Sequence, residues 1–283
     1  MAKALDVGDP RIARYTKDRL KAGVSRATVN RELAALSRAF AIAVEQELLS
    51  SAPKIKKLQE PPAREGFVNP GDFDTIEANL PDDGLRDYSR FSYETGTRKS
   101  GHGLLEWAHV DREAGVVTFP YELEKNGQPR QIPLVGALAD IIDRRWKARE
   151  YQTKTGPAIP RYVFHRGDGH QIVDFRKSRR AACIAAGFSK PWVRRDGRPR
   201  LDRQGRQLLD ASLIFHDLRR SAVRNMELNG TPRSIGMKIS GHKTESVYRR
   251  YAIVTTDDVR RELARVQAAT ATKAKSNVIA MAR

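Results

Sequence analysis

The chain reads as a mainly α protein with a small antiparallel β-sheet, an α+β architecture in which a short helical module precedes a larger mixed domain. Three observations predict this. Between Ser25 and Val44, apolar residues recur at three and four positions (Val29, Leu33, Leu36, Phe40, Val44), which is the spacing of one helix face. Two short β-prone runs, 116–121 and 129–134, flank Asn126-Gly127, a hairpin signal. Between helical and mixed regions, Pro53, Pro61 and Pro62 deny a helix to residues 50–66. The expected division is a helical module over 1–50, a basic linker over 51–66, and a second domain over 67–283.

Charge narrows the class of partner. The 283 residues carry 52 Lys and Arg against 34 Asp and Glu, a net charge of +18, which is a strong field for a polyanion. Nucleic acid is the expected partner; a ribosome-associated or simply very soluble protein has the same composition. Cys183 is the sole cysteine, which excludes an intrachain disulfide and a Cys-rich metal site and suits a reducing cytosol. No run reaches the roughly 18 apolar residues of a membrane span, and the first residues lack an apolar export signal. His165 and His170 have no third ligand nearby, so neither a metal nor any other cofactor is expected.

Taken in order, Asp9-Pro10 marks a helix start, and Ala22-Gly23 ends that helix near Lys21. The second helix starts after Ser25 and has Arg26, Asn30, Arg31 and Arg38 on its polar face. The linker adds Lys54, Lys56 and Lys57. Helices are expected near 71–80 and 84–95, then the hairpin with Lys125 on its turn, then an amphipathic helix over 135–151 built on Leu138, Ile141, Ile142 and Trp146. A short strand is expected at 162–164 and a helix over 172–186. Residues 190–206 hold seven Lys and Arg, among them Arg194 and Arg195, and two Gly turns, and read as an inserted basic hairpin or loop. A last helix carries Val259, Leu263 and Val266 as one stripe, followed by a tail with Val278, Ile279 and Met281.

The chemistry concentrates in 214–253, which reads as three short helices broken at Asn229-Gly230 and Gly241. His216 and Arg219 are three apart, so a helix puts both on one face. Gly241 can end a helix and leave His242 at the mouth of a turn. Tyr251 follows nine residues later, near Arg249 and Arg250. Cationic donors of this kind stabilise the charge that develops on a phosphodiester under attack, and nearby cations favour a phenolate. Each residue alone is more often structural.

Together, HDLRR and SGHKTESVYRRYAIV resemble the second signature box of the tyrosine recombinases, the phage integrase family. ETGTRKSGHGLLEWAHVD resembles the first box. The resemblance implies a tyrosine-recombinase catalytic fold and active-site roles for Arg98, His216, Arg219 and His242, with Tyr251 as nucleophile; Tyr248 does not fit the spacing. Lys125, in a K-N-G hairpin between the boxes, would be the general acid. The chain departs from the pattern at Gly101, where the family has an acidic residue three positions after the arginine. The helical module resembles the later part of the family's DNA clamp, so 1–50 would be a partial core-binding domain.

The implied activity is site-specific recombination or integration of double-stranded DNA attachment sites in the bacterial cytosol or nucleoid. It would proceed through a 3′-phosphotyrosyl intermediate, without ATP or metal, in a homotetramer joined through the C-terminal tail. DNA contacts are expected at Arg26, Asn30, Arg31, Lys54, Lys56, Lys57, Arg194 and Arg195. Two alternatives stand beside it: a type IB topoisomerase-like relaxing enzyme, and an impaired integrase-like protein that binds DNA as a regulator.

Overall fold

The computed structural model describes residues 9–62, 64–124, 127–194 and 196–276. Its chain contacts divide it into two units, Met1–Arg64 and Glu65–Arg283.

In the first unit, α1 (Asp9–Lys21) and α2 (Arg26–Glu45) form a helical hairpin that turns at Gly23, where φ is +73°. Ser25 caps α2 by accepting a bond from the Thr28 N–H. The apolar stripe of α2 lies where its period places it: Val29 and Leu33 are buried against Ile12, with Val24 and Leu36 at the margin. At the polar rim, Tyr15 and Arg19 both bind Glu32.

Residues 51–62 have neither helix nor strand, yet they are not a free tether. Ile55 and Leu58 pack onto the Ile12–Val29–Leu33 cluster, which leaves Lys54, Lys56 and Lys57 exposed. Asn30 holds this segment. Its Nδ2 donates to the Leu58 carbonyl at 2.8 Å and to Glu60 Oε1 at 2.7 Å, and its Oδ1 accepts from the Leu58 N–H at 2.7 Å. The expected DNA contact at Asn30 is therefore corrected: the side chain is buried, and the connecting segment takes up its hydrogen-bonding groups.

The second unit is built on α4 (Asp83–Thr95), started by Asp82 accepting from the Leu85 N–H at 2.7 Å and ended by Gly96 in the left-handed conformation. Its buried face supplies Leu85, Tyr88 and Phe91 to a core shared with Leu105, Phe119, Ile141, Ile142 and Phe164. α3 (Pro70–Ala78) stacks Phe73 on Tyr93 with centroids 4.1 Å apart. After α5 (Lys99–Gly103), β1 (Val110–Asp111), β2 (Val116–Phe119) and β3 (Arg130–Pro133) form an antiparallel sheet in sequence order.

Several local expectations need correction. Phe119 pairs with Arg130, so ten residues join β2 to β3, three more than the expected strands leave between them. Pro120 has no N–H to continue the ladder, and a 3₁₀ turn follows at Tyr121–Leu123. The 135–151 helix is shorter, α6 (Ala137–Lys147), and is followed by the antiparallel pair β4 (Tyr151–Thr153) and β5 (Gly156–Ala158). Residues 162–164 form no strand; Tyr162 makes an isolated bridge with Glu106. The 172–186 helix begins only at Arg176 (α7, Arg176–Ala185), because Ile172 and Phe175 enter the core ahead of it.

The basic insert is a β element. β6 (Ser189–Pro191) pairs with β7 (Leu209–Ala211). Between them Trp192, Arg200 and Leu208 close a ring of backbone bonds: Trp192 N–H to Leu208 O at 2.7 Å, Leu208 N–H to Arg200 O at 2.8 Å, and Arg200 N–H to Trp192 O at 2.8 Å. The Trp192 ring is held between the guanidiniums of Arg180 and Arg200, 4.4 and 4.1 Å from its centroid. Four helices complete the unit: α8 (His216–Leu228), α9 (Arg233–Ser240), α10 (Glu245–Arg249) and α11 (Thr256–Ser276). α11 is anchored at its start, where buried Arg224 of α8 meets both oxygens of Asp258 at 2.7 and 2.6 Å.

Candidate active site

The site forms where the start of α8 meets the turn after α4 and the turn after α9. Asp217 accepts from the Ile214 N–H at 2.8 Å and from Arg220 at 2.6 Å, fixing the entry of the chain into α8. His216 is the first residue of that helix, and Arg219 lies on the same face one turn on.

Arg219 is 2% exposed and ties the site together. Its Nη1 donates to the carbonyls of Gly96 and Ser240, the latter at 2.5 Å, and its Nη2 lies 2.8 Å from His242 Nε2. Gly96 permits this approach in two ways: φ is +65°, and a Cβ there would lie 3.2 Å from the Ala222 Cβ and 3.4 Å from the Ser240 Cβ.

The tautomer of His242 follows from its partners. The Ser240 hydroxyl donates to the Gly236 carbonyl at 2.6 Å, so it accepts from His242 Nδ1–H at 2.8 Å. Nε2 is then the bare nitrogen that accepts the hydrogen bond from Arg219 Nη2–H. Burial, followed by the charges of Arg219 and Arg98, pushes the His242 pKa down to about 3. The imidazole is neutral.

His216 Nε2 lies 3.0 Å from the Tyr251 hydroxyl. Burial, with Arg220 and Arg219 next, lowers the His216 pKa and keeps its ring neutral near pH 7. The Tyr251 ring is half-buried, 4.8 Å from that of His242, with the Arg219 and Arg220 guanidiniums each 5.7 Å from its centroid. Tyr248 is different in every respect. It is fully buried over Gly236, its hydroxyl has no partner among the described residues, and burial pushes its pKa up to about 12.

Arg98 enters from the residue before α5 and is 30% exposed. Its Nη1 is 3.4 Å from the Gly241 carbonyl. The structure thus brings Arg98, His216, Arg219, His242 and Tyr251 together from segments more than a hundred residues apart. Lys125 and Arg195 lie outside the described residues. Arg26, Arg31 and Arg194 are exposed like the three linker lysines, and Arg26 also donates to the Gln59 carbonyl at 3.2 Å.

The sequence reading missed four residues here: Ser240, His102, Glu124 and Arg130. Ser240 sets the His242 tautomer. His102 is fully buried among Tyr88, Phe91, Phe164 and Phe215, its Nδ1 lies 3.0 Å from the Arg98 carbonyl, and burial takes its pKa down to about 3. Arg130 bonds Glu124 at 2.6 Å and Thr97 at 3.0 Å. Adjacency to the boxes and to Lys125 is the only signal in the sequence that pointed to them.

Guanidiniums and neutral imidazoles gathered around one accessible phenol suit attack on a phosphate diester. The chain belongs to the phage integrase family, whose profile matches residues 78–257; it is a site-specific DNA recombinase of the tyrosine class. Solved structures share the fold. The Tn1549 transposon integrase, in complex with circular intermediate DNA, is 16% identical, with a TM-score of 0.62 over 93% of this chain and 85% of that one. A lambda integrase dimer bound to a COC′ core site is 15% identical, with a TM-score of 0.62 over 89% and 82%. XerA recombinase is 14% identical, with a TM-score of 0.51 over 93% and 85%. Comparison of the sequence with curated proteins gave no match.

Proposed function

We propose that Tyr251 cuts one strand of a DNA attachment site and holds it as a 3′-phosphotyrosyl ester. The observation that carries this reading is the 3.0 Å contact between the Tyr251 hydroxyl and the neutral His216 imidazole, beside a buried Arg219. His216 takes the phenolic proton as the oxygen attacks phosphorus. Arg98 and Arg219 hold the non-bridging oxygens. His242, fixed by Ser240 with its Nε2 towards Arg219, holds that guanidinium in place beside the phosphate. Lys125 protonates the leaving 5′ oxygen. One phosphodiester is exchanged for another, so the step reverses without ATP or metal.

DNA is gripped at two further places in this reading: the face bearing Arg26, Arg31, Lys54, Lys56 and Lys57, and the basic insert bearing Arg194 and Arg195. The working assembly is a homotetramer. The tail proposed to join it, with Val278, Ile279 and Met281, lies outside the described residues; its support is α11 ahead of the tail, whose Val259, Leu263 and Val266 remain 49, 57 and 48% exposed, an apolar stripe suited to the same helix of a second copy. No described helix is long and apolar enough to cross a membrane, and the proposed place of action is the bacterial cytosol or nucleoid.

The test is a duplex from the ends of the encoding element, nicked near the crossover so that cleavage is trapped, and resolved on a denaturing gel. A protein–DNA adduct lost in Tyr251→Phe is expected. Specific binding without an adduct would overturn the reading in favour of a regulatory DNA-binding protein, and relaxation of any plasmid by a monomer would favour a topoisomerase.

A further inference from the structure

At Gly101 the chain lacks the carboxylate that the first box carries, but a carboxylate reaches Arg98 from another element. Glu124, on the loop after β2, has a side chain only 4% exposed. Its two oxygens face two guanidiniums: Oε1 accepts from Arg130 Nε at 2.6 Å, and Oε2 lies 3.7 Å from Arg98 Nη1. Each of the other two nitrogens of Arg130 makes one bond, Nη1 to the Ile239 carbonyl and Nη2 to Thr97 Oγ1 at 3.0 Å.

The loop that delivers Glu124 stands close to Gly101: a Cβ there would lie 3.3 Å from Thr97 Cγ2 and 3.6 Å from the Leu123 carbonyl, so a long side chain at that position would run into the loop. On its far side, Glu124 abuts the turn before His242: a Cβ on Gly241 would lie 3.1 Å from Glu124 Oε2. Without Glu124, the positive charges of Arg98, Arg130 and Arg219 would face one another with only carbonyls to separate them. The other contact of the Arg98 guanidinium among the described residues is the long one to Gly241.

We propose that Glu124 is the positioning residue for Arg98, a carboxylate moved from the first-box helix to the loop that leads directly into Lys125. The inference rests on the reading of Arg98 as a phosphate-holding residue.

The experiment is a double-mutant cycle in the full chain, with single-turnover adduct formation on the nicked duplex and DNA retention measured alongside. Glu124→Gln is expected to slow adduct formation about 10²-fold, the cost of misplacing a catalytic group by roughly 1 Å, with retention unchanged. In an Arg98→Ala background the same substitution should cost less than about threefold, because its route of action is gone. An unimpaired Glu124→Gln enzyme, or equal losses in both backgrounds, would overturn the proposal. If Glu124→Gln does not melt cooperatively, Glu124→Asp takes its place in the cycle: it keeps the charge near Arg130 while drawing back from Arg98. Failure of the underlying reading looks different, since wild type itself would then give no Tyr251-dependent adduct.

Discussion

Replacing Tyr248 with phenylalanine should stabilise the protein and leave DNA cleavage intact. The Tyr248 hydroxyl is fully buried against Gly236 and meets no hydrogen-bond partner among the described residues. In the unfolded chain water satisfies that hydroxyl, so burial without a partner costs about 1–3 kcal/mol. Removing the oxygen recovers that cost. The space it leaves, roughly 10–15 Å³, costs on the order of 0.3 kcal/mol at the usual price of a cavity. The net gain is about 1–2 kcal/mol, and a domain of roughly 200 residues gains about 2–4 °C in melting temperature per kcal/mol. A thermal melt beside the trapped-duplex assay reads both effects, with adduct formation expected within about twofold of wild type. A lowered melting temperature would show that the hydroxyl is bonded in the native state, and loss of the adduct would return Tyr248 to contention as nucleophile.

Other perturbations probe separate parts of the molecule. His242 and His102 both titrate near 3 in the folded protein and near 6.5 when unfolded. Below pH 6.5 the unfolded chain therefore binds protons that the native state refuses, and stability falls as pH drops from about 6.5 towards 3. The slope is about 1.4 kcal/mol per pH unit for each imidazole. Urea midpoints at pH 7, 5.5 and 4.5, for wild type and for His102→Phe, should show this fall and a shallower one in the variant; identical slopes would refute it. Asn30→Ala should loosen the segment around Leu58, at a cost of about 1–3 kcal/mol to the first unit. Faster proteolysis near Lys54–Lys57 without loss of DNA retention is the expected outcome, whereas weakened retention with unchanged proteolysis would restore Asn30 as a DNA contact.

What could be read from the sequence was what local chemistry determines. Ser25 and Gly241 begin or end helices by rules that need only their neighbours, and α2 shows its buried face in its period. The spacing of His216, Arg219, His242 and Tyr251 likewise survives folding, because each pair is set within one or two short helices. Pairings made at a distance were not legible. β1, β4 and β5 are too short to show alternation, and their partners are chosen by tertiary contacts. Asn30 lies on a polar helix face that looks the same in sequence whether water or a chain segment covers it. Glu124 stands 26 positions from Arg98 in the sequence, and Gly101 alone signalled that a carboxylate was missing, not where a replacement lay.

The bonds from Arg219 to the carbonyls of Gly96 and Ser240 also place the site in time. The first of these carbonyls is synthesised long before the arginine, and the nucleophile follows later still. At about 5–20 residues per second, the interval from Arg98 to Tyr251 is roughly 8–30 s of translation. Throughout it the first helical unit, with its lysines, is already made and its core is complete within itself. In the proposed reading, a growing chain therefore has its basic helical unit well before it has the phenol that would cut DNA.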